Sequence, residues 1–463
     1  MLHDGRNLHL FPGSQAYWWW GLLPLVKAET MWFDQHWQTS DHVSWELKPL
    51  TQHHGVNGGA EMIDERITKI GAHYERTKHE SSFYQHSALD VDQRNWQVTT
   101  STIPGQPGQK TGVRDCDVFQ HDGWYYLVGA NHWTEGEGKA FQKGKNTRYF
   151  LHKSRDLKTW QVAGNGTFWD TGSNMTTECP SVNIVDGRCV MLGCQNLIGD
   201  DHYAVGDFKD ERFHLKHSGQ TDVGNDSAAH SWMTQDDKGR WILTTWLRGS
   251  NMGGQIDMLT GLKPRFQSGW HTIYSLPRHV TVTADDHLRF EPLSDLQKLR
   301  QEPQTLTETS ITKTTPLSAK PSAHFEIDAT WSVASGVTSG IRIQQGGEHI
   351  DILHSPEEGG TLTIDSSAAK HALVALDKVI SRPLPRKPGE PLHLRVFFDG
   401  CLLEVYGDDG QVTTARWYAA DPSQITSHLV TGNGSTPVKA IHHYPMRSVW
   451  SRYLEAASKT SNP

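Results

Sequence analysis

Cysteine is scarce and irregularly spaced. The five residues, at positions 116, 179, 189, 194 and 401 of 463, include no C-x-x-C pair. That excludes a disulfide framework and a zinc ribbon, and leaves buried free thiols as the reading. Long apolar runs are missing too. The most apolar stretch, Tyr17 to Val26, is interrupted by Gly21 and Pro24 and falls short of the roughly 20 residues that a membrane-spanning helix needs. Nor does the start, Met1-Leu2-His3-Asp4-Gly5-Arg6, carry the apolar core after a basic segment that marks a signal peptide. Basic residues are outnumbered, 44 Lys and Arg against 52 Asp and Glu for a net charge of -8, so the average surface attracts neither nucleic acid nor an anionic membrane. No such partner is expected, and small neutral substrates fit better. Four Asn-x-Ser/Thr triplets, at Asn165, Asn174, Asn225 and Asn433, would accept glycans only in a secreted protein. Secretion is favoured over the cytoplasm, with the location left open.

Turns, short strands and tryptophan are what the chain has. Two stretches organise it: Arg114-Asp115-Cys116-Asp117-Val118-Phe119 and Thr177-Glu178-Cys179-Pro180-Ser181-Val182. Each sets a carboxylate at the head of an apolar run that ends in an Asp-Gly turn, at Asp122-Gly123 and Asp186-Gly187, with a second strand-like run beyond. Both read as β-hairpins with type I′ turns. If such hairpins repeat around an axis, their first strands can aim both carboxylates into one pocket, as glycosidic bond cleavage requires. The 18 Trp suit stacking on sugar rings, although core packing accounts for most of them.

Up to about residue 300 no helical period is sustained, so an all-β region is expected. Asp-x-x-x-Trp recurs at Asp41/Trp45, Asp92/Trp96 and Asp156/Trp160, at spacings of 51 and 64 residues, which is the size of a propeller blade with a shared outer turn. A third hairpin surrounds Asp237-Lys238-Gly239, and a short helix is expected over Leu293 to Arg300. Residues 301–322, rich in Thr, Ser, Pro and Gln, read as a linker. Residues 323–463 then alternate as half-buried antiparallel strands do, for example Leu392-His393-Leu394-Arg395-Val396, and a β-sandwich is expected. The tail after about Arg452 reads as frayed.

On these residues the chain resembles glycoside hydrolase family 32, the invertases, inulinases and levanases. Arg114-Asp115 is similar to the family's Arg-Asp-Pro motif, Glu178-Cys179-Pro180 to its Glu-Cys-Pro motif, and Gly269-Trp270 to Leu276-Pro277-Arg278 to its Gly-Trp…Leu-Pro-Arg stretch. Val396 to Tyr406, continuing to Arg416, is similar to a late strand pair. The resemblance covers nearly the whole chain and implies a five-bladed β-propeller over 1–300 followed by the sandwich. It implies Glu178 as general acid/base and Asp115 as the carboxylate that holds fructose hydroxyls in the oxocarbenium-like transition state. Arg114 would orient a carboxylate or a hydroxyl, and Asp222 would contact substrate. No metal and no cofactor are implied. His36 and His132 read as ordinary exposed histidines.

The sequence departs from the pattern at Cys116, where the family has Pro, at Val223, where it has an aromatic residue, and at Phe11-Pro12-Gly13. The family's Asp nucleophile lies in a Trp-Met-Asn-Asp-Pro-Asn stretch, and the sequence contains none. Its hairpin pattern begins at the turn His3-Asp4-Gly5, so the strand before that turn is expected to be missing, and Asp4, inside the turn, is a poor substitute. The implied activity is retaining hydrolysis of terminal β-D-fructofuranosides in sucrose or a fructan, impaired in the chain as it stands. A fructan- or sucrose-binding protein without catalysis and a fructosyltransferase are the alternatives.

Overall fold

The structure, a computed structural model, describes residues 1–11, 13–17, 30–34, 36–48, 51–52, 58–75, 80–90, 93–105, 112–131, 148–172, 177–195, 201–223, 228–247, 273–369 and 378–449. Among the described residues the first part holds five antiparallel blade sheets and a three-stranded sheet of Gly13–Tyr17, Thr30–Asp34 and Thr51–Gln52. Blade I holds Leu2–His3, Leu8–Leu10, Trp37–Thr39 and Glu46–Leu47, and blade II holds Ala60–Ile63, Arg66–Glu75, Glu80–Ala88 and Trp96–Ile103. Blade III runs Val113–His121, Trp124–Asn131, Arg148–Ser154, Gln161–Asp170, and blade IV runs Thr177–Val185, Arg188–Gln195, Asp201–Lys209, Arg212–Gln220. Blade V contains Ala228–Gln235, Trp241–Leu247, Arg278–Val282 and Leu288–Pro292. First strands meet between blades I and II, III and IV, IV and V, and V and I, while that of blade III packs on the second strand of blade II, which closes the ring. This is the expected propeller.

Asp122-Gly123 and Asp186-Gly187 all have positive φ, the geometry of a type I′ turn that matches strand twist. The Asp-x-x-x-Trp repeat also has a physical basis. Asp41 accepts from the amides of Val43 and Ser44 and from the Ser44 hydroxyl, and Asp156 accepts from those of Lys158 and Thr159 and from the Thr159 hydroxyl. Each closes the turn between the third and fourth strands of its blade. In blade II Asp90 does this, accepting from Arg94 and Asn95; Asp92 lies outside the described residues.

Leu2–His3 pairs with His9 and Leu8, so two residues occupy the place before the first hairpin turn. Asp4 caps that turn, its Oδ1 accepting from the amides of Arg6 (2.8 Å) and Asn7 (2.6 Å). The helix expected near 293–300 is a 3₁₀ turn, Ser294–Leu299.

The second part packs two six-stranded sheets around one apolar core that includes Trp331, Ile343, Leu394 and Trp417. The stretch read as a linker is corrected here: Gln304–Ile311 pairs with Thr436–Pro445, and Thr315–Pro316 pairs with Thr426–Thr431, at the edge of each sheet. β-branched Thr suits an edge strand with one wet face, which reads as polar in composition. A further core joins the two parts, setting Val190, Tyr203 and Phe290 against Phe397, Tyr406 and Val412. Trp18 to Trp20, His132 and the tail after Arg452 lie outside the described residues.

Candidate active site

Two first strands carry the site, and both are broken in the same way. The pairing of Val113–His121 with Trp124–Asn131 slips between Arg114 and Cys116, and that of Thr177–Val185 with Arg188–Gln195 slips between Glu178 and Ser181. Within these bulges Asp115 and Cys179 take the left-handed conformation, each with φ of 45°. A side chain there is strained, and such strain persists where packing imposes it, commonly at functional sites. The bulges bring the two heads together: the Asp115, Glu178 and Cys179 ligand atoms lie within 4.8 Å of one another.

Arg114 joins the two carboxylates. Its Nη1 donates to Asp115 Oδ2 at 2.6 Å, and its Nη2 lies 2.7 Å from Glu178 Oε1. Burial alone would lower the guanidinium pKa, but Asp115 and Glu178 push it further up, so the cation persists. The buried Tyr149 hydroxyl donates to the Glu178 carbonyl at 3.2 Å, fixing the backbone beneath the acid. Side-chain exposure is 6% for Asp115 and 15% for both Glu178 and Arg114, so the carboxylates are sheltered yet reachable. Asp115, Glu178 and Cys179 are donors a metal could use, but the guanidinium already binds both carboxylates.

Asp222 is not part of this group. Its side chain is fully buried between the propeller and the sandwich, with Oδ2 3.3 Å from Arg278 Nη2 and Oδ1 accepting from the Thr414 amide at 2.8 Å. Both of its oxygens thus meet protein partners at this interface. Arg278 also donates to Glu404 at 3.0 and 3.2 Å, and Glu404 accepts from the Leu276 amide (2.6 Å) and the Tyr406 hydroxyl (2.7 Å). Leu276-Pro277-Arg278 and the late strand pair are therefore two halves of one interface. His36, read as exposed, is buried instead, its Nε2 2.8 Å from His9 Nδ1 and its ring stacked on Phe11. Burial drives its pKa down to about 3.

Between blades IV and V lies another buried acid. Asp201 Oδ2 accepts from the Thr221 hydroxyl at 2.5 Å and from the Ser231 hydroxyl. Burial pushes its pKa up to about 7, against those two bonds. A carboxyl raised in the native state keeps its proton while the unfolded chain loses its own, so stability falls as pH rises from about 4 to about 7. Asp201→Asn retains an acceptor and removes the titration. Wild-type stability relative to this variant should drop across that window by an amount on the order of 4 kcal/mol, at about 1.36 kcal/mol per pKa unit. Urea unfolding of both proteins at pH 5 and pH 8, which spans about two of those units, should show roughly 3 kcal/mol of that drop, and a constant difference would contradict it.

Two family models match the chain: "Glycosyl hydrolases family 32 N-terminal domain" over residues 15–292 and "Glycosyl hydrolases family 32 C terminal" over residues 295–445. A levanase from Bacillus subtilis is 25% identical over 504 residues, covering 97% of this chain and 68% of that protein. A sucrose-6-phosphate hydrolase from Vibrio alginolyticus is 23% identical over 469 residues, covering 95% and 89%. Among solved structures, fructan 1-exohydrolase IIa from Cichorium intybus superposes with a TM-score of 0.77 at 15% identity, covering 96% of this chain and 94% of that one. That likeness shows the propeller and sandwich fold.

Proposed function

The chain belongs to glycosyl hydrolase family 32, and we propose that it acts on terminal β-D-fructofuranosides, in sucrose or a fructan, at the Asp115–Arg114–Glu178 cluster. The carrying observation is the shared guanidinium between two carboxylates raised on matched bulges. Glu178 would give its proton to the departing glycosidic oxygen, then take one from the water that releases fructose. Asp115, bonded to Arg114, would bind ring hydroxyls and stabilise the positive charge that builds at the anomeric carbon. Arg114 bridges the pair. Its planar fork serves both partners at once, which a lysine cannot, so Arg114→Lys should lower kcat/KM roughly 10²-fold by misplacement while the unfolding midpoint barely moves.

A second reading is binding of sucrose or a fructan without turnover. Incubation with sucrose, sucrose 6-phosphate, inulin and levan separates the two. Fructose release that Glu178→Gln abolishes supports hydrolysis, and oligosaccharide products at high sucrose mark transfer. Calorimetric binding of a fructan without release supports the second reading. Neither release nor binding would contradict both.

A further inference from the structure

One buried acid next to the site has no part in the chemistry above. Asp117 follows Asp115 by two residues on the first strand of blade III, is 6% exposed, and reaches into the neighbouring blade. Its Oδ2 accepts the backbone N–H of Val182 at 2.8 Å. Val182 lies on the first strand of blade IV, just past the bulge that carries Glu178. An innermost strand has one edge turned from its own sheet, and an N–H on that edge needs an acceptor from elsewhere. Asp117 supplies it, so the strand bearing Asp115 and the strand bearing Glu178 are tied by a side-chain bond directly beyond the two bulges.

The surroundings are shaped for this carboxylate. A Cβ on Gly59 would come within 2.3 Å of Asp117 Oδ1, and one on Gly58 within 2.7 Å of the Cys116 carbonyl and 2.3 Å of that of Ile70. Gly58 in turn bridges to Cys116 in parallel. The Gly58-Gly59 backbone can therefore lie against residues 116 and 117 only because neither carries a side chain.

We infer that Asp117 is a positioning residue, the strut that sets the distance between Asp115 and Glu178 by holding Val182 of the next blade. The kinetic consequence rests on the proposed function, whereas the strut itself does not.

The test therefore reads both. Asp117→Ala should make the Val182 amide exchange at least about tenfold faster and lower kcat for fructose release by roughly 10- to 100-fold, with KM changed less. Asp117→Asn keeps an acceptor oxygen and should restore both protection and kcat. Gly59→Ala, which displaces the carboxylate without removing it, should reproduce the alanine phenotype in milder form. Val182 protection unchanged in Asp117→Ala, or unrestored in Asp117→Asn, overturns the strut. If Asp117→Ala does not fold, Gly59→Ala with normal protection and kcat overturns it equally. If no variant nor the wild type releases fructose, the activity reading fails while amide exchange still decides the strut.

Discussion

Glu178→Gln is expected to lower kcat for fructose release by about 10²–10⁴-fold, the usual contribution of a positioned acid/base, with KM little changed. Glutamine keeps the shape and still offers an oxygen to Arg114 Nη2, 2.7 Å away, so the fold and the sugar contacts survive while the proton is lost. Leaving-group dependence makes the prediction specific. A β-fructofuranosyl fluoride departs as fluoride and needs no proton, so the first step on it should be impaired far less than on sucrose. Asp115→Asn should show no such rescue, because Asp115 stabilises charge on the fructosyl ring whatever leaves. Equal losses on both substrates in Glu178→Gln would remove Glu178 from the acid's role.

Arg278→Met should destabilise the protein by about 3–5 kcal/mol. Arg278 is fully buried, as are Asp222 and Glu404, and its guanidinium is the shared partner of both. Removing it leaves two buried carboxylates facing each other without a counter-charge, the costly way to break a buried pair. Arg342 offers the contrast: it forms a two-pronged pair with Asp351 at 2.7 Å for both bonds but is 30% exposed. Arg342→Met should cost under about 1 kcal/mol, since water and salt already screen the pair. Urea unfolding of the two variants at pH 7 tests the difference, and equal costs would mean that burial at the interface has been misjudged. Because the Arg278 network spans propeller and sandwich, the loss should also uncouple their unfolding into two transitions.

The fold was legible because its signals are local. Asp-Gly turns, period-2 alternation and an Asp-led outer turn each act within a few residues, and the structure shows them doing so at Asp122-Gly123, Leu392 to Val396 and Asp156. The site was half legible. Glu178 and Asp115 stood out by heading equivalent hairpins, whereas the bulges in those strands are seen only in their pairing with the strand across the turn. Asp117 was in plain view, a second acid inside an apolar run, but its partner is a backbone amide 65 residues away, on the next blade. The surroundings of Asp222 were hidden in the same way: its partners, Arg278 and Thr414, lie 56 and 192 residues off. The edge strands at 304–316 were hidden by composition, because a strand exposed on one face and one edge carries the polar residues of a loop.

The proposed role of the Asp115–Arg114–Glu178 cluster is tested most directly by a crystal structure of Glu178→Gln with a short fructan bound. A terminal fructosyl ring is predicted in the cluster, its hydroxyls at about 3 Å from the Asp115 carboxylate and its glycosidic oxygen facing the side chain at position 178. A fructan bound elsewhere, or one seated there with no hydroxyl on Asp115, would contradict it.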